Sequence, residues 1–274
     1  MGANSRSPSN TMSESVSDND CASITFHAGP MFSGKSSALI LKRAELRRSS
    51  GLSSALSSDS SFDSSSVYSK VVVLKCSPAH HEDTLASCTL KSRDGTWCDG
   101  FLIGNNVRLN TLKQLALAHV LIDEAQFLTK EQVEELRERR DCKVICYGLR
   151  ADVHKRPFSG SAALMASADH IVMHTSTCVL CYKPNALHNE LRSKVIAFQT
   201  GDKELADKPT SNAAPGEPFV CENDDETYAV LCNRCDVNLS LHYYSSKKRA
   251  RHVQFDAQFD AQFDVQNQRA RISR

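Results

Sequence analysis

The sequence predicts an α/β fold, a mostly parallel sheet flanked by helices, followed by a small lobe stapled through its cysteines. Three observations predict it. Short apolar runs (Ile24-Thr25-Phe26-His27, Val71-Val72-Val73-Leu74, Val120-Leu121-Ile122, Val144-Ile145-Cys146-Tyr147, Ile171-Val172-Met173) alternate with helix-prone stretches. Runs of this kind are typical of strands buried on both faces, and their alternation with helices makes parallel connections. A turn ending in Gly34-Lys35-Ser36 joins the first run to the first helical stretch, and two Cys-x-x-Cys pairs follow the last strand.

Taken in order, residues 1–20 are polar and Ser-rich and read as a disordered tail. Strand 24–28 enters the glycine turn, and a helix is expected from Ser36 to about Arg48, where Arg47, Arg48 and Gly51 suit a helix C-terminus. A Ser-rich insertion occupies 49–66, before the strand at 71–74. The next forty or so residues are less regular, with turn signals at Asp94-Gly95 and Asp99-Gly100. A helix from Thr111 to about His119 leads into the strand at 120–122, and residues 129–140 open like a capped helix, with Thr129 and Gln132 three apart. Strand 144–147, helix 159–167 and strand 171–173 complete an α/β domain over 24–174. Residues 175–244 read as a loop-rich metal-binding lobe lacking a core of its own, and 245–274 as a low-complexity tail. That tail holds a basic run, Lys247 to Arg251, and a repeat of Gln254-Phe255-Asp256-Ala257.

Composition narrows the function classes. A formal net charge of +1 over 274 residues supplies no field for nucleic acid or a membrane surface. No run approaches the roughly 18 apolar residues of a membrane span, and the first twenty residues lack a leader's apolar segment. Eleven cysteines, an odd number, favour free thiols and a metal site in a reducing compartment, which points to the cytoplasm.

Gly29-Pro30-Met31-Phe32-Ser33-Gly34-Lys35-Ser36 fits G-x-x-x-x-G-K-[ST] between a strand and a helix. In such a P-loop the glycines let backbone N–H groups aim at phosphate oxygens, a lysine reaches the outer phosphates, and the hydroxyl ligates their Mg²⁺. A P-loop NTPase-like sheet that binds ATP with Mg²⁺ follows, with Lys35 and Ser36 in those two roles. Leu121-Ile122-Asp123-Glu124 is the natural partner: Asp123 beside the Mg²⁺, and Glu124 placed to accept a proton from an attacking hydroxyl. Cys178, Cys181, Cys232 and Cys235 make the two knuckles of a four-thiolate zinc site. The intervening stretch 182–231 is longer than the usual spacing of roughly 15–20, so two unrelated reduced pairs is the alternative. No open ligand position is implied, so the Zn²⁺ is read as structural.

These residues carry a resemblance. His27 to Ser36, Ile122-Asp123-Glu124-Ala125-Gln126-Phe127, Cys146 to Asp152, and the cysteine pairs with Asp225-Glu226-Thr227-Tyr228 before the second, resemble the type II thymidine kinases, in that family's order over roughly 24–240. The resemblance implies transfer of the ATP γ-phosphoryl to the 5′-hydroxyl of a pyrimidine deoxynucleoside, thymidine or deoxyuridine. It implies Glu124 as the base, and Gly29 to Ser36, Asp123 and Gln126 around ATP. It also implies Met31, Phe127, Leu149 and Tyr228 around the nucleoside, a lasso loop bearing Tyr228, and a homotetramer. Two segments depart from the family pattern. Ala79 and His81 stand where the family usually shows an Asp and an Arg near the phosphates, leaving Arg93 as the candidate replacement cation. The lasso's glycines are replaced by Cys221-Glu222-Asn223-Asp224. These departures motivate the alternative of a catalytically impaired nucleotide-binding member with a regulatory or scaffolding role.

Overall fold

The computed structural model describes residues 23–49, 71–78, 85–114, 117–139, 141–201 and 228–243. The N-terminal tail, nearly all of the Ser-rich insertion, Ala79, His81, the segment 221–227 and the tail from 245 lie outside the described residues.

Among these residues seven strands form one sheet: β1 (Ile24–Gly29), β2 (Val71–Cys76), β3 (Ala86–Lys91), β4 (Trp97–Ile103), β5 (His119–Asp123), β6 (Lys143–Leu149) and β7 (His170–Met173). Their order is β3-β4-β2-β5-β6-β1-β7, and every neighbouring pair is parallel except the β3–β4 hairpin. Strand alternation explains the uninterrupted apolar runs. Val72 and Leu74 join Phe26, Val120 and Ile122 in the core on one face, whereas Val71 and Val73 join Leu39, Ile40 and Leu121 on the other. Helix α1 (Lys35–Ser49) covers the second face through Leu39 and Ile40. Helices α2 (Lys130–Arg137) and α3 (Ser159–Ser167) cover the first, through Val133, Leu136 and Leu164. The expected capping box starts α2: Gln132 N donates to the Thr129 hydroxyl, and Thr129 N donates to Gln132 Oε1.

Four expectations are corrected. Asp99-Gly100 is no turn but lies inside β4, and its glycine answers to packing. A Cβ on Gly100 would sit 2.7 Å from Leu90 Cδ1 and 2.9 Å from the Val73 carbonyl. The helix expected over 111–119 is a 3-10 turn at Leu109–Gln114, and His119 already belongs to β5. β7 is an edge strand with Ile171, Val172 and Met173 exposed, so its apolar run does not mark burial. The stretch after residue 175 is not loop-rich among the described residues. It pairs β8 (His188–Leu191) antiparallel with β9 (Tyr228–Leu231) and adds α4 (Arg192–Thr200) and a helix, α5, at 233–243. It also has a core, with Ala186, Val195, Val230, Leu231 and Leu239 buried around the cysteines. Among the described residues no helix is long and apolar enough to cross a membrane.

Candidate active site

Beyond the carboxyl ends of β1, β2, β5 and β6 opens a cleft of about 810 Å³, the place where parallel α/β sheets receive ligands. Loop residues Met31–Ser36, then Asp123 at the end of β5 with Glu124, Gln126 and Phe127 beyond it, and finally Leu149 and Tyr228, all line it. Sequence-distant candidates are thereby brought together. Gly29 and Pro30 are not in this wall; they face a separate cavity of about 410 Å³ behind the loop. Gly29 is required there because a Cβ would meet His174 Cβ at 2.8 Å and the His174 carbonyl at 2.9 Å.

The loop is braced from within. Lys35 Nζ donates to the Pro30 carbonyl and, at 3.2 Å, to Ser33 Oγ, which itself donates to Pro30 O at 2.8 Å. Burial brings the Lys35 ammonium down to about 8, against the pull of Glu124 and Asp123. Ser36 Oγ lies 3.2 Å from both carboxylate oxygens of Asp123, joining the start of α1 to the end of β5. Asp123 is buried, and its carboxyl is pushed up to about 7 by that burial and then by neighbouring Glu124. A buried carboxylate with a hydroxyl beside it and a like charge next door is short of a cation.

Glu124 leaves the strand in the left-handed region, φ 53°, which turns it away from the alternation of β5. Gln126 holds it, donating Nε2 to Glu124 Oε2 while its Oε1 accepts from Leu149 N at 2.9 Å. Gly148 leaves room for that amide, since a Cβ there would lie 2.9 Å from Gln126 Oε1. Phe127 meets Phe158 edge-on at 5.8 Å, and Met31 packs beside Val153, Leu191 and Tyr228, giving the cleft an apolar end. Arg93, from the β3–β4 turn, sets its guanidinium 3.8 Å from the centroid of the Phe32 ring. The turn that presents it is held by Asp94 Oδ1, which accepts from Thr96 N at 2.9 Å and from Thr96 Oγ1 at 2.6 Å.

Away from the cleft, the four thiols of Cys178, Cys181, Cys232 and Cys235 lie within 4.8 Å of one another. Tetrahedral Zn–S bonds of ~2.3 Å separate sulfurs by ~3.8 Å, and Cys181 and Cys232 Sγ stand 3.6 Å apart. Burial opposes ionisation of Cys178, but backbone amides including those of Cys232, Cys181 and Leu180 bring it down to about 7. Cys235 is pushed up by burial and by the other three thiols, the mark of a cluster that needs a cation before all four ionise. The donor set fits zinc.

Sequence reasoning missed Asn189, which is buried, lines the cleft and accepts the Met31 N–H at 2.8 Å. It also missed His174, which closes on Gly29, and Ser176, which donates to the Phe32 carbonyl; both contacts are equally non-local. No local pattern marks any of them.

Comparison with known proteins bears on the whole arrangement. A thymidine kinase family model matches residues 66–235. The match begins after the phosphate loop, which rests on its own motif and on its position at the end of β1. A thymidine kinase of Colwellia psychrerythraea is 35% identical over 133 residues, covering 44% of this chain and 67% of that protein. One from Photorhabdus laumondii is 34% identical over 140 residues, 48% and 65% of the two chains. A third, from Chromobacterium violaceum, is 45% identical over 121 residues, 43% and 56%. The matched stretch thus spans two thirds or less of most of these relatives.

Proposed function

Because the chain belongs to the thymidine kinase family, we propose that it transfers the γ-phosphoryl group of ATP to the 5′-hydroxyl of thymidine or deoxyuridine. The observation that carries this reading is convergence: Lys35, the Ser36–Asp123 pair and Glu124 share one cleft with an apolar end. Phosphoryl transfer through a loose transition state needs positioning and charge neutralisation more than covalent chemistry, and those groups supply both. Lys35 and the amides of Phe32 to Ser36 take the phosphates, while Gly29 and Pro30 shape the loop from behind. Ser36 and Asp123 would hold Mg²⁺, which when bound neutralises the triphosphate oxygens. Glu124, steadied by Gln126, accepts the 5′-hydroxyl proton as the hydroxyl oxygen attacks. Met31, Phe127, Leu149 and Tyr228 form the slot for the pyrimidine and sugar.

The cysteine cluster takes a structural Zn²⁺, since all four of its positions are filled by thiols. All nine described cysteines are unbridged, which supports a reducing compartment, the cytoplasm. The exposed apolar edge at β7 supports assembly into a homotetramer. The test is a screen of the purified chain with ATP, Mg²⁺ and single nucleosides, read by product mass. Phosphorylation of thymidine or deoxyuridine is expected. Triphosphate binding with no nucleoside phosphorylated at all sinks the proposal and leaves the impaired alternative.

A further inference from the structure

The phosphate loop is gripped from outside the cleft by a set of polar contacts that the transfer chemistry does not use. Residues 174–176 follow β7, and Ser176 pairs with Ala186 at the base of the turn that carries Cys178 and Cys181. Asn189 stands on β8, three residues beyond that bridge. The segments on both sides of the cysteine turn therefore reach back to the loop.

We propose that Asn189, Ser176 and His174 are positioning residues that hold the phosphate loop in its anion-receiving form before any nucleotide arrives. The inference rests on the reading that this loop takes a triphosphate, and it concerns binding rather than transfer.

The argument follows the peptide planes. In a trans peptide the carbonyl and the N–H point in opposite directions. Asn189 Oδ1 accepts the Met31 N–H at 2.8 Å. The Pro30 carbonyl of that same peptide turns the other way, where it receives Ser33 Oγ and Lys35 Nζ. Asn189 thus sets the direction of the carbonyl that receives Lys35 Nζ. Two peptides further on, Ser176 Oγ donates to the Phe32 carbonyl at 3.1 Å from outside the cleft lining. The N–H of Ser33 is thereby turned towards the cleft. His174 closes on the start of the loop, its carbonyl 2.9 Å from where a Cβ on Gly29 would stand, and its ring Nε2 lies 2.9 Å from His27 Nδ1, whose ring stacks on Tyr147 at 4.4 Å.

Phe32 shows that the loop is held. It is not glycine, yet it sits at φ 59°. Such a conformation persists only when its surroundings over-determine it. Ser176 on its carbonyl and Arg93 over its ring provide that constraint. Asn189 is fixed in turn: its Nδ2 donates to the Ala151 carbonyl at 3.3 Å, and Lys155 Nζ donates to its own carbonyl at 3.1 Å. Lys155 also meets Asp236, the residue after Cys235, at 2.8 Å, so the grip is anchored in the cysteine lobe.

The test titrates the full chain with a fluorescent ATP analogue plus Mg²⁺, and separately with thymidine. Loss of one such hydrogen bond weakens binding of the analogue by about 3- to 10-fold, so Ser176→Ala falls in that range and Ser176→Thr stays at the wild-type value. The double variant His174→Ala/Ser176→Ala is expected to lose more than Ser176→Ala, with thymidine affinity unchanged. Asn189→Ala is expected to weaken the analogue as well. Analogue affinity within twofold of wild type in the double variant overturns the proposal. So does a parallel loss of both ligands with a lowered Tm, which would make the segment a support of the fold at large. A wild-type chain that binds the analogue but phosphorylates no nucleoside removes the kinase reading and leaves this one standing.

Discussion

The seven-stranded sheet and the cysteine lobe bury apolar surface on very different scales. The sheet has a core on each face, drawing on six of its strands and on α1, α2 and α3. Among the described residues, the lobe has one small core of Cys178, Ala186, Val195, Ala229, Val230, Leu231, Cys232 and Leu239, in which two of the buried residues are themselves candidate metal ligands. Lobes of that size rarely fold on hydrophobic burial alone, and a metal supplies the difference. The groups proposed for transfer divide accordingly. Lys35 and Ser36 open α1, and Asp123 and Glu124 stand at the end of β5, while the lobe brings Tyr228 and Asn189 to the cleft.

Metal removal therefore separates the two regions most sharply. Structural zinc is worth roughly 10–16 kcal/mol in small zinc domains, far more than any one side chain. Chelation is expected to speed amide hydrogen exchange in β8, β9 and α5 by orders of magnitude and to spare β1, β5 and β6. Loss of protection in both regions together would mean that they fold as one unit, and the contrast would fail.

Next in size is Glu124→Gln. A general base contributes about 10²–10⁴-fold, so kcat should fall by roughly a thousandfold while thymidine affinity is retained. The Gln126 contact keeps residue 124 in place in the variant, since a glutamine still offers an oxygen to Nε2. Unchanged kcat would move the proton acceptor elsewhere.

A paired core truncation comes third. Leu121 and Leu231 are both fully buried, one in each region. Leu121→Ala should lower global stability by about 2–5 kcal/mol. Leu231→Ala should instead weaken zinc retention and exchange protection of the lobe, with the main melting transition little moved. If both variants shift that main transition equally, the two cores are coupled.

The sheet was readable from sequence where burial on both faces leaves an unbroken apolar run, as in β2, β5 and β6. It was unreadable at its margins. β3 buries only Leu90, β4 alternates exposed and buried residues in its first half, and the two form an antiparallel hairpin at the sheet's edge, so no long apolar run announces them. Asp99-Gly100 imitates a turn because the glycine is selected by the close approach of Val73 and Leu90, a tertiary cause with no local trace. In the cleft, the residues that touch phosphate or metal in the proposed reaction carry motifs. The residues that aim them do not: Met31 meets Asn189 across 158 positions. Such contacts exist only once the chain is folded.

The remaining effect concerns pH and belongs to the sheet alone. The Asp123 carboxyl is pushed up to about 7, chiefly by burial and then by Glu124, so the folded chain keeps a proton there that the unfolded chain releases near 4. Its contribution to stability is complete below the ordinary carboxylate range, shrinks as pH rises from about 4 to about 7, and is flat above that. Asp123→Asn has no proton to release and should lack that slope in melts across the window. A magnesium ion at the same carboxylate competes with the proton, so affinity for MgATP should climb with pH, by at most about tenfold per unit, until about 7. Lys35 stays charged through this range and loses its proton only near 8, so affinity should fall again beyond that value. The cysteine lobe, loaded with zinc, should show neither limb. If the rising limb survives in Asp123→Asn, the titrating group is another one, and the close pairing of Ser36 with Asp123 is not where the metal binds.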